Sequence, residues 1–415
     1  MRFSRTHCFR FAVAVVLVVV VSACAATPYR YEPLESLGIE QRAVTQDEGA
    51  IRISASVPSD EEAKKLFGIP LDRRGIQAVW LEVTNNSDVR TRVAPYSIDP
   101  DYFPPHEVAY MYRKQFSRQG WLDMERRFFD MSMPRHLEPG ETVSGFVFTN
   151  AQKGTKSFNV DVYYTDGEKN FEHFTFFIEV PGFRPDHAEV DFRNLYSPDE
   201  LIEVDTDTFR TVLADLPCCT TNSDGSARGQ PMEVLLVAEG IDLLQALLRS
   251  GWQETGYQRS PDFLSASDYF YGRPPDSIFR KGRDKSTERN EMGLWLTPIL
   301  VDGITVWAAQ IKHAIGRRFQ IEETFLGVRL DPDINDGRNF LMQNLWYSGS
   351  LKHYAWSDTG IEVAQDSPAL DFNENAWFSD GYRLVLWVSG EAVSLSETSE
   401  IVWDQAVQSK AEQMQ

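Results

Sequence analysis

Four stretches in the first half of the chain alternate apolar and polar residues with a period of two, and this constrains the fold most. Ile51, Ile53, Ala55 and Val57 alternate with Arg52, Ser54 and Ser56. Val79, Leu81 and Val83 alternate with Trp80, Glu82 and Thr84, before the turn signal Asn85-Asn86-Ser87. Phe158, Val160 and Val162 repeat the habit, as do Phe174, Phe176, Ile178 and Val180. Successive side chains of a strand face opposite ways, so the pattern predicts antiparallel sheets with one buried face. Helical signals interrupt it. Ser59 and Glu62 form a capping box for a helix that Gly68 closes. A second helical region runs from about Glu107 to Phe129, broken near Gly120, and a turn at Leu137–Glu141 leads into a strand at Val143–Phe148. Residues 50–182 therefore read as an immunoglobulin-like β-sandwich with a helical insertion.

The polar stretch 183–230, ending in the Ser-, Asn- and Gly-rich run Thr220–Gly229, has linker composition. Residues 231–396 mix strands with helices. Glu233–Val237 is a buried-type strand, and a helix follows with Ile241, Leu244 and Leu248 on one stripe, ended by Gly251. Strands are expected at Tyr269–Tyr271, Met292–Leu300, Ile304–His313 and Tyr382–Val388, with a helix at Pro332–Trp346. That order predicts an α/β or α+β domain. Residues 397–415 read as a polar tail with weak helical potential. The expected fold class is mixed α and β in two domains, and an apolar content of 42% supplies both cores.

The start of the chain reads as an address. Arg2, Arg5 and Arg10 precede an apolar run, Phe11–Val21, shorter than the about 20 residues a bilayer span needs. Val21-Ser22-Ala23-Cys24 then reads as a lipobox, which makes residues 1–23 a lipoprotein signal peptide and Cys24 the acylated residue. Residues 24–49 would be a short tether holding the first domain near the bilayer. Each buried CH₂ adds about 0.8 kcal/mol, so two or three acyl chains anchor stably. Ala25 rather than Asp after the cysteine favours, under the usual sorting rule, the outer membrane facing the periplasm. The outer face of the inner membrane is the alternative. A net charge of −20 disfavours nonspecific binding to nucleic acid or anionic headgroups. The expected partners are the membrane, through the acyl chains, and an envelope protein or lipid ligand, with no nucleic acid.

Cys8 leaves with the leader and Cys24 carries lipid, so Cys218 and Cys219 remain. Adjacent Cα atoms lie about 3.8 Å apart, below the usual disulfide range of about 4.4–6.8 Å. A vicinal disulfide, a bridge to another chain and free thiols all stay open, with a local structural role favoured over a redox one. The cluster Asp331, Asp333, Asn335 and Asp336 invites a calcium reading. An EF-hand loop would need Gly and Glu where Asp336 and Met342 stand, so Asp331 and Asp333 read better as helix caps. Arg338 shares a stripe with Ile334, Leu341 and Leu345 and should turn inward. Buried there it needs a carboxylate, from Asp331, Asp333 or another element. His313 shares a strand face with Trp307, Ala309 and Ile311, and Arg273 is fixed between Tyr-Phe-Tyr-Gly and Pro-Pro. Arg273, His313, Asp331, Asp333 and Arg338 are thus the candidate ligand-binding residues. No serine-hydrolase elbow, phosphate loop, dinucleotide glycine pattern or zinc spacing is present, so neither a metal nor a cofactor is expected and no catalytic residue is assigned.

Asp268-Tyr-Phe-Tyr-Gly272-Arg273, Asp276-Ser-Ile-Phe-Arg-Lys281, Gly303-Ile-Thr-Val-Trp307, Asp331-Pro-Asp-Ile-Asn335 and Arg338 occur in an order that resembles the LssY C-terminal domain family. The resemblance covers roughly residues 231–357. Members occur alone or beside membrane modules such as phosphatidic acid phosphatases and DedA-type proteins. The sequence departs where the family often carries Arg, His, Arg and Trp, reading Arg289, Glu291, Gly293 and Trp295. Asn335 and Gly337 also replace an aspartate and a glutamate, and the loss of a His and an Arg weakens any phosphate-binding role. The resulting expectation is a lipid-anchored envelope protein acting as a non-enzymatic binding or assembly factor. The alternative is a hydrolase of lipid or cell-wall phosphates, which requires Arg273, His313 and Arg338 to converge within about 15 Å. A purely structural lipoprotein is a third possibility.

Overall fold

A computed structural model describes residues 28–165, 171–256, 264–282, 288–319 and 326–403. The expected signal peptide and Cys24 lie outside the described residues. Contacts divide the chain into two compact units, one of residues up to 152 with 158–182, the other of residues 153–157 with 183 onwards. Both mix strands and helices, and strands predominate. Among the described residues no helix is long and apolar enough to cross a membrane.

The first unit runs β1 (Val44–Glu48), β2 (Ile51–Ser56), α1 (Asp60–Phe67), β3 (Ile76–Asn85), β4 (Thr91–Ala94), α2 (Pro105–Tyr112), α3 (Arg118–Asp130), β5 (His136–Leu137), β6 (Thr142–Asn150), β7 (Thr155–Tyr164) and β8 (Phe171–Glu179). Two four-stranded sheets form, in the orders β1-β2-β3-β6 and β5-β4-β7-β8. The antiparallel register Ile53↔Val83↔Val143 aligns the apolar set of the first sheet on one face. That set shares a core with Val93, Phe158, Val160, Val162, Phe174 and Phe176 of the second. The opposite face of the first sheet is only partly solvated. Ala78, Trp80, Phe146 and Phe148 are covered by Phe67, Val108 and Phe128 of the helices. Phe67 packs its ring 4.9 Å from Phe128 and 5.2 Å from both Phe146 and Phe148. Trp80 occupies the polar phase of its strand because this second layer exists.

The capping box forms as expected: Ser59 accepts from the Glu62 N–H, and Glu62 accepts from the Ser59 N–H at 2.8 Å. Gly68 closes the helix at φ +66°, where a Cβ would come within 2.1 Å of the Arg30 carbonyl oxygen. The break in the second helical region differs from expectation. It falls at residues 113–117, and Gly120 lies inside α3, its N–H donating to the Ser117 hydroxyl at 3.0 Å. Gly120 is there for contact, since its Cβ would lie 3.2 Å from the Tyr29 nitrogen.

The second unit contains β9 (Ile202–Val204), α4 (Phe209–Asp215), β10 (Cys219–Thr221), β11 (Arg228–Pro231), β12 (Val234–Val237), α5 (Gly240–Arg249), β13 (Gln253–Glu254), β14 (Ser277–Gly282), β15 (Arg289–Val301), β16 (Ile304–Phe319), β17 (Leu326–Leu330), α6 (Ile334–Tyr347), β18 (Leu351–Ser357), β19 (Arg383–Val388) and β20 (Ser399–Glu400). Among the described residues, ten strands make one mixed sheet, ordered β13-β14-β15-β16-β12-β19-β18-β20, with β17 beside β16 and β9 beside β15. β12 pairs antiparallel with β16 and parallel with β19. One face, with Val234, Leu236, Leu294, Trp307, Ile311 and Leu386, packs under Leu243 and Leu247 of α5 and Leu341 and Leu345 of α6. The other, with Leu235, Trp295, Ala308, Val385 and Trp387, packs on Phe209 and Leu213 of α4 and on Phe270.

Several expectations need correction. Residues 24–49 are not a tether throughout, since Val44–Glu48 pairs antiparallel with β2 as β1 and Ile39 is fully buried. Ile241, expected on the inward stripe of α5, is exposed, and Leu243 and Leu247 take that place. Residues 183–230 are no linker: they fold as β9, α4, β10 and β11, because Phe209 and Leu213 are fully buried despite their polar surroundings. Tyr269–Tyr271 forms isolated bridges to Thr221 and Arg273 rather than a strand. The expected helical start of the tail is instead β20, paired parallel to β18.

Candidate functional site

One cluster of buried charged side chains in the second unit lies under and beside α6. Pro332 and Asp333 begin that helix, and Asp333 accepts from the Asn335 N–H at 3.1 Å. Asp331 accepts from the Asp333 N–H at 3.1 Å, so both carboxylates serve the helix entry. Arg338 lies one turn in on the buried stripe, 2% exposed. Its guanidinium makes a two-pronged pair with Asp380, at 2.9 and 2.6 Å, and donates to the Tyr382 carbonyl. It also stands 3.6 Å from a Glu233 carboxylate oxygen and 5.0 Å from the Trp356 ring. The partner thus comes from another element, not from Asp331 or Asp333.

Glu233 sits just before β12, and Ser379 donates its hydroxyl to one carboxylate oxygen. Burial pushes the Glu233 carboxyl up to about 7, against the pull of Arg338 and Ser379. Gln230, Glu233, Gln310, Ile311, Ile334 and Arg338 line a small cleft of about 10 Å³, room for about one water molecule. Glu233 Oε2, Gln310 Oε1 and Arg338 Nε are buried without a hydrogen-bond partner. The cleft therefore presents two acceptors and one donor.

A raised carboxyl pKa has a definite consequence for stability. The folded chain holds the Glu233 proton more tightly than the unfolded chain, whose glutamate titrates near the ordinary 4.5. The resulting stabilisation is complete below that value and is lost as pH rises through about 7. Glu233→Gln is expected to flatten the decline in urea midpoint between those two pH values. An unchanged slope would assign the titration to other groups.

A second buried pair lies on the other face of β16. Lys312 and Asp268, each 1% exposed, form an ion pair. Asp268 also accepts from Thr220 at 3.3 Å, and Gln310 donates to the Gln230 carbonyl at 3.0 Å. A third pair is Arg273 with Asp276, joined by two bonds of 2.9 Å, with further bonds to the Tyr196 hydroxyl and the Leu296 carbonyl. Asp276 in turn accepts from the Leu296 N–H at 2.7 Å, which locks the pair to β15. Arg383, 2% exposed, has backbone carbonyls as hydrogen-bond partners: Leu213, Leu216, Pro217 and Met232. Immediately after Pro217 comes a disulfide between Cys218 and Cys219, and the Cys218 carbonyl accepts from the Met232 N–H at 2.7 Å.

Of the candidate residues, His313, Asp331, Asp333 and Arg338 fall around the start of α6. His313 Nδ1 lies 3.5 Å from Asp331 and its carbonyl accepts from the Asp331 N–H at 2.8 Å. Arg273 is elsewhere. Leu296, which it holds, pairs with Trp307, whereas His313 pairs with Asn290. Six strand positions separate them, about 20 Å along β16. Among the described residues no group of three or more His, Cys, Asp or Glu side chains is placed to hold a metal. Glu233, Asp380, Lys312 and Arg383 escaped the sequence reading. Glu233 and Arg383 do flank apolar strand runs, a detectable signal of buried charge.

Residues 211–382 match the family model described as LssY C-terminus. This segment is an LssY C-terminal domain. It extends beyond the residues that carry the resemblance, starting within α4 and ending just before β19. No curated protein matches the chain. Within the LssY C-terminal domain the motif residues Asp268, Arg273, Asp276 and Arg338 are all members of ion pairs. Where the family often has a His, Glu291 is fully buried and pairs with Arg280 at 3.0 Å. Where it often has an Arg, Gly293 lets Trp295 pack close, its ring 2.9 Å from where a Cβ would stand. Asn335 serves as a two-sided connector, donating to Asp333 at 2.7 Å and accepting from the Asp380 N–H at 3.1 Å.

Proposed function

We propose that the protein is a lipid-anchored component of a bacterial envelope, held at Cys24, and that it acts as a non-enzymatic binding or assembly factor. The observation that carries the second half of this reading is the disposition of the candidate charges. Arg273 and Arg338 each face a carboxylate, and the Arg273 anchor lies about 20 Å along the sheet from His313. Groups acting on one substrate must lie within hydrogen-bond reach of it. The cleft beside Glu233 and Arg338 has room for a water or a single hydroxyl-sized group of a ligand or partner. The two four-stranded sheets of the first unit, with helices between β4 and β5, support an immunoglobulin-like sandwich as the second interaction module.

The anchor reading makes a direct prediction. Full-length protein from its host should carry two or three acyl chains at Cys24 and sediment with outer-membrane vesicles. Cys24→Ala should shift at least nine-tenths of it to the soluble fraction, as judged by denaturing mass and fractionation. Unmodified Cys24 in a membrane-free protein would sink the anchor. Turnover of phosphomonoesters or phosphodiesters that Arg338→Ala abolishes, with the fold intact, would sink the non-enzymatic reading.

A further inference from the structure

The helical hairpin of the first unit carries charged and aromatic residues that its own packing leaves exposed. From Val108 to Leu122 there is no Asp or Glu, although the chain holds 61 acids in 415 residues. Arg113, Lys114 and Arg118 cluster there instead. Tyr110 and Leu122 are 53% and 42% exposed, and Phe129 on the same outer stripe of α3 is 60% exposed. Arg113 stacks on the Tyr110 ring at 3.6 Å, making a joint cationic and aromatic surface.

The path of the preceding chain places this surface. Arg127 lies over the Tyr31 ring at 4.2 Å, and Tyr29 meets Phe116 edge-on at 5.5 Å. The Tyr29 nitrogen lies 3.2 Å from where a Gly120 Cβ would stand. From Tyr31 back to Tyr29 the chain therefore runs beside α3 towards the turn that joins it to α2. Only four residues separate Tyr29 from Cys24, five Cα-to-Cα steps. Covalent geometry limits that span to about 18 Å.

We infer that the α2–α3 turn is a lipid-contacting surface, with Arg113, Lys114 and Arg118 on anionic headgroup phosphates and Tyr110 and Leu122 in the interfacial layer. This rests on the reading of Cys24 as acylated. An anchor that close brings the turn within reach of the headgroups. Cations near an anionic leaflet and amphipathic aromatic rings at its interface are both favoured there. The net acidity of the chain, −20 overall, makes this acid-free stretch a favourable face to present to an anionic surface.

The test uses full-length acylated protein in vesicles of phosphatidylethanolamine and phosphatidylglycerol, with a photoactivatable headgroup on a tracer lipid. Adducts mapped by mass spectrometry should fall within residues 105–130. Combined Arg113→Glu, Lys114→Glu and Arg118→Glu should reduce them at least tenfold while Cys24 acylation and sedimentation persist. Tyr110→Ser with Leu122→Ser provides a charge-neutral second variant, expected to lower the yield several-fold, should charge reversal disturb folding. Adducts elsewhere, or unchanged in both variants, overturn the inference and leave the anchor standing. Cys24 found unmodified removes the anchor and the inference with it. A hairpin protected by a co-purifying protein and free of lipid adducts assigns the surface to that partner, and so overturns it too.

Discussion

A chain stopped after Tyr382 is expected to lose the fold of its second unit, whereas one stopped after Trp403 keeps it. The family match ends at residue 382, yet β19 begins at the next position. All six residues of β19 are buried, and the strand lies between β12 and β18. Burying Leu384, Val385, Leu386, Trp387 and Val388 contributes on the order of 10 kcal/mol, comparable to the whole stability of a typical domain. Without β19, β12 also loses its parallel ladder and Met232 and Leu213 lose the Arg383 guanidinium. Loss of slow amide exchange across β12 and β18 would register the collapse. Retained protection in the shorter chain would show that the sheet closes without β19.

Arg338→Ala should cost about 3 kcal/mol at pH 8, within the range for breaking a buried ion pair. The reason is what it leaves behind: Glu233, 5% exposed, and Asp380 lose their shared cation. Burial already holds Glu233 at about 7, so near pH 5 the carboxyl is protonated and the penalty shrinks. Adding Glu233→Gln should recover at least half of the loss at pH 8, since no buried carboxylate then remains without a partner at that position. Urea transitions of the four proteins at both pH values, followed by tryptophan emission of the second unit, give the cycle. A penalty equal at both pH values would break the proposed coupling of Arg338 to Glu233.

The same cluster shows where reading the sequence stops. The inward turn of Arg338 follows from its stripe with Ile334, Leu341 and Leu345, because helix geometry is local. Its partner Asp380 lies 42 residues away, and only the pairing of elements brings it there. Period-two alternation likewise located β2, β3, β7 and β8, but did not show that helices bury Trp80 on the opposite face. Gly120 misled for a related reason: a glycine that breaks a helix and one that admits a neighbouring backbone look alike until the neighbour is known. In residues 183–230 a few buried side chains, Phe209 and Leu213 above all, outweigh a polar composition.

The bridge between Cys218 and Cys219 joins residues adjacent in sequence. Disulfides stabilise largely by removing loop entropy from the unfolded chain, and that gain grows with loop length. This one encloses almost no loop, so it is a brace on the peptide next to the Arg383 carbonyl shell rather than a staple across the fold. The second unit is therefore held by its sheet and its buried pairs. Among the described residues, then, closing a covalent ring adds almost nothing to the cohesion of the sheet.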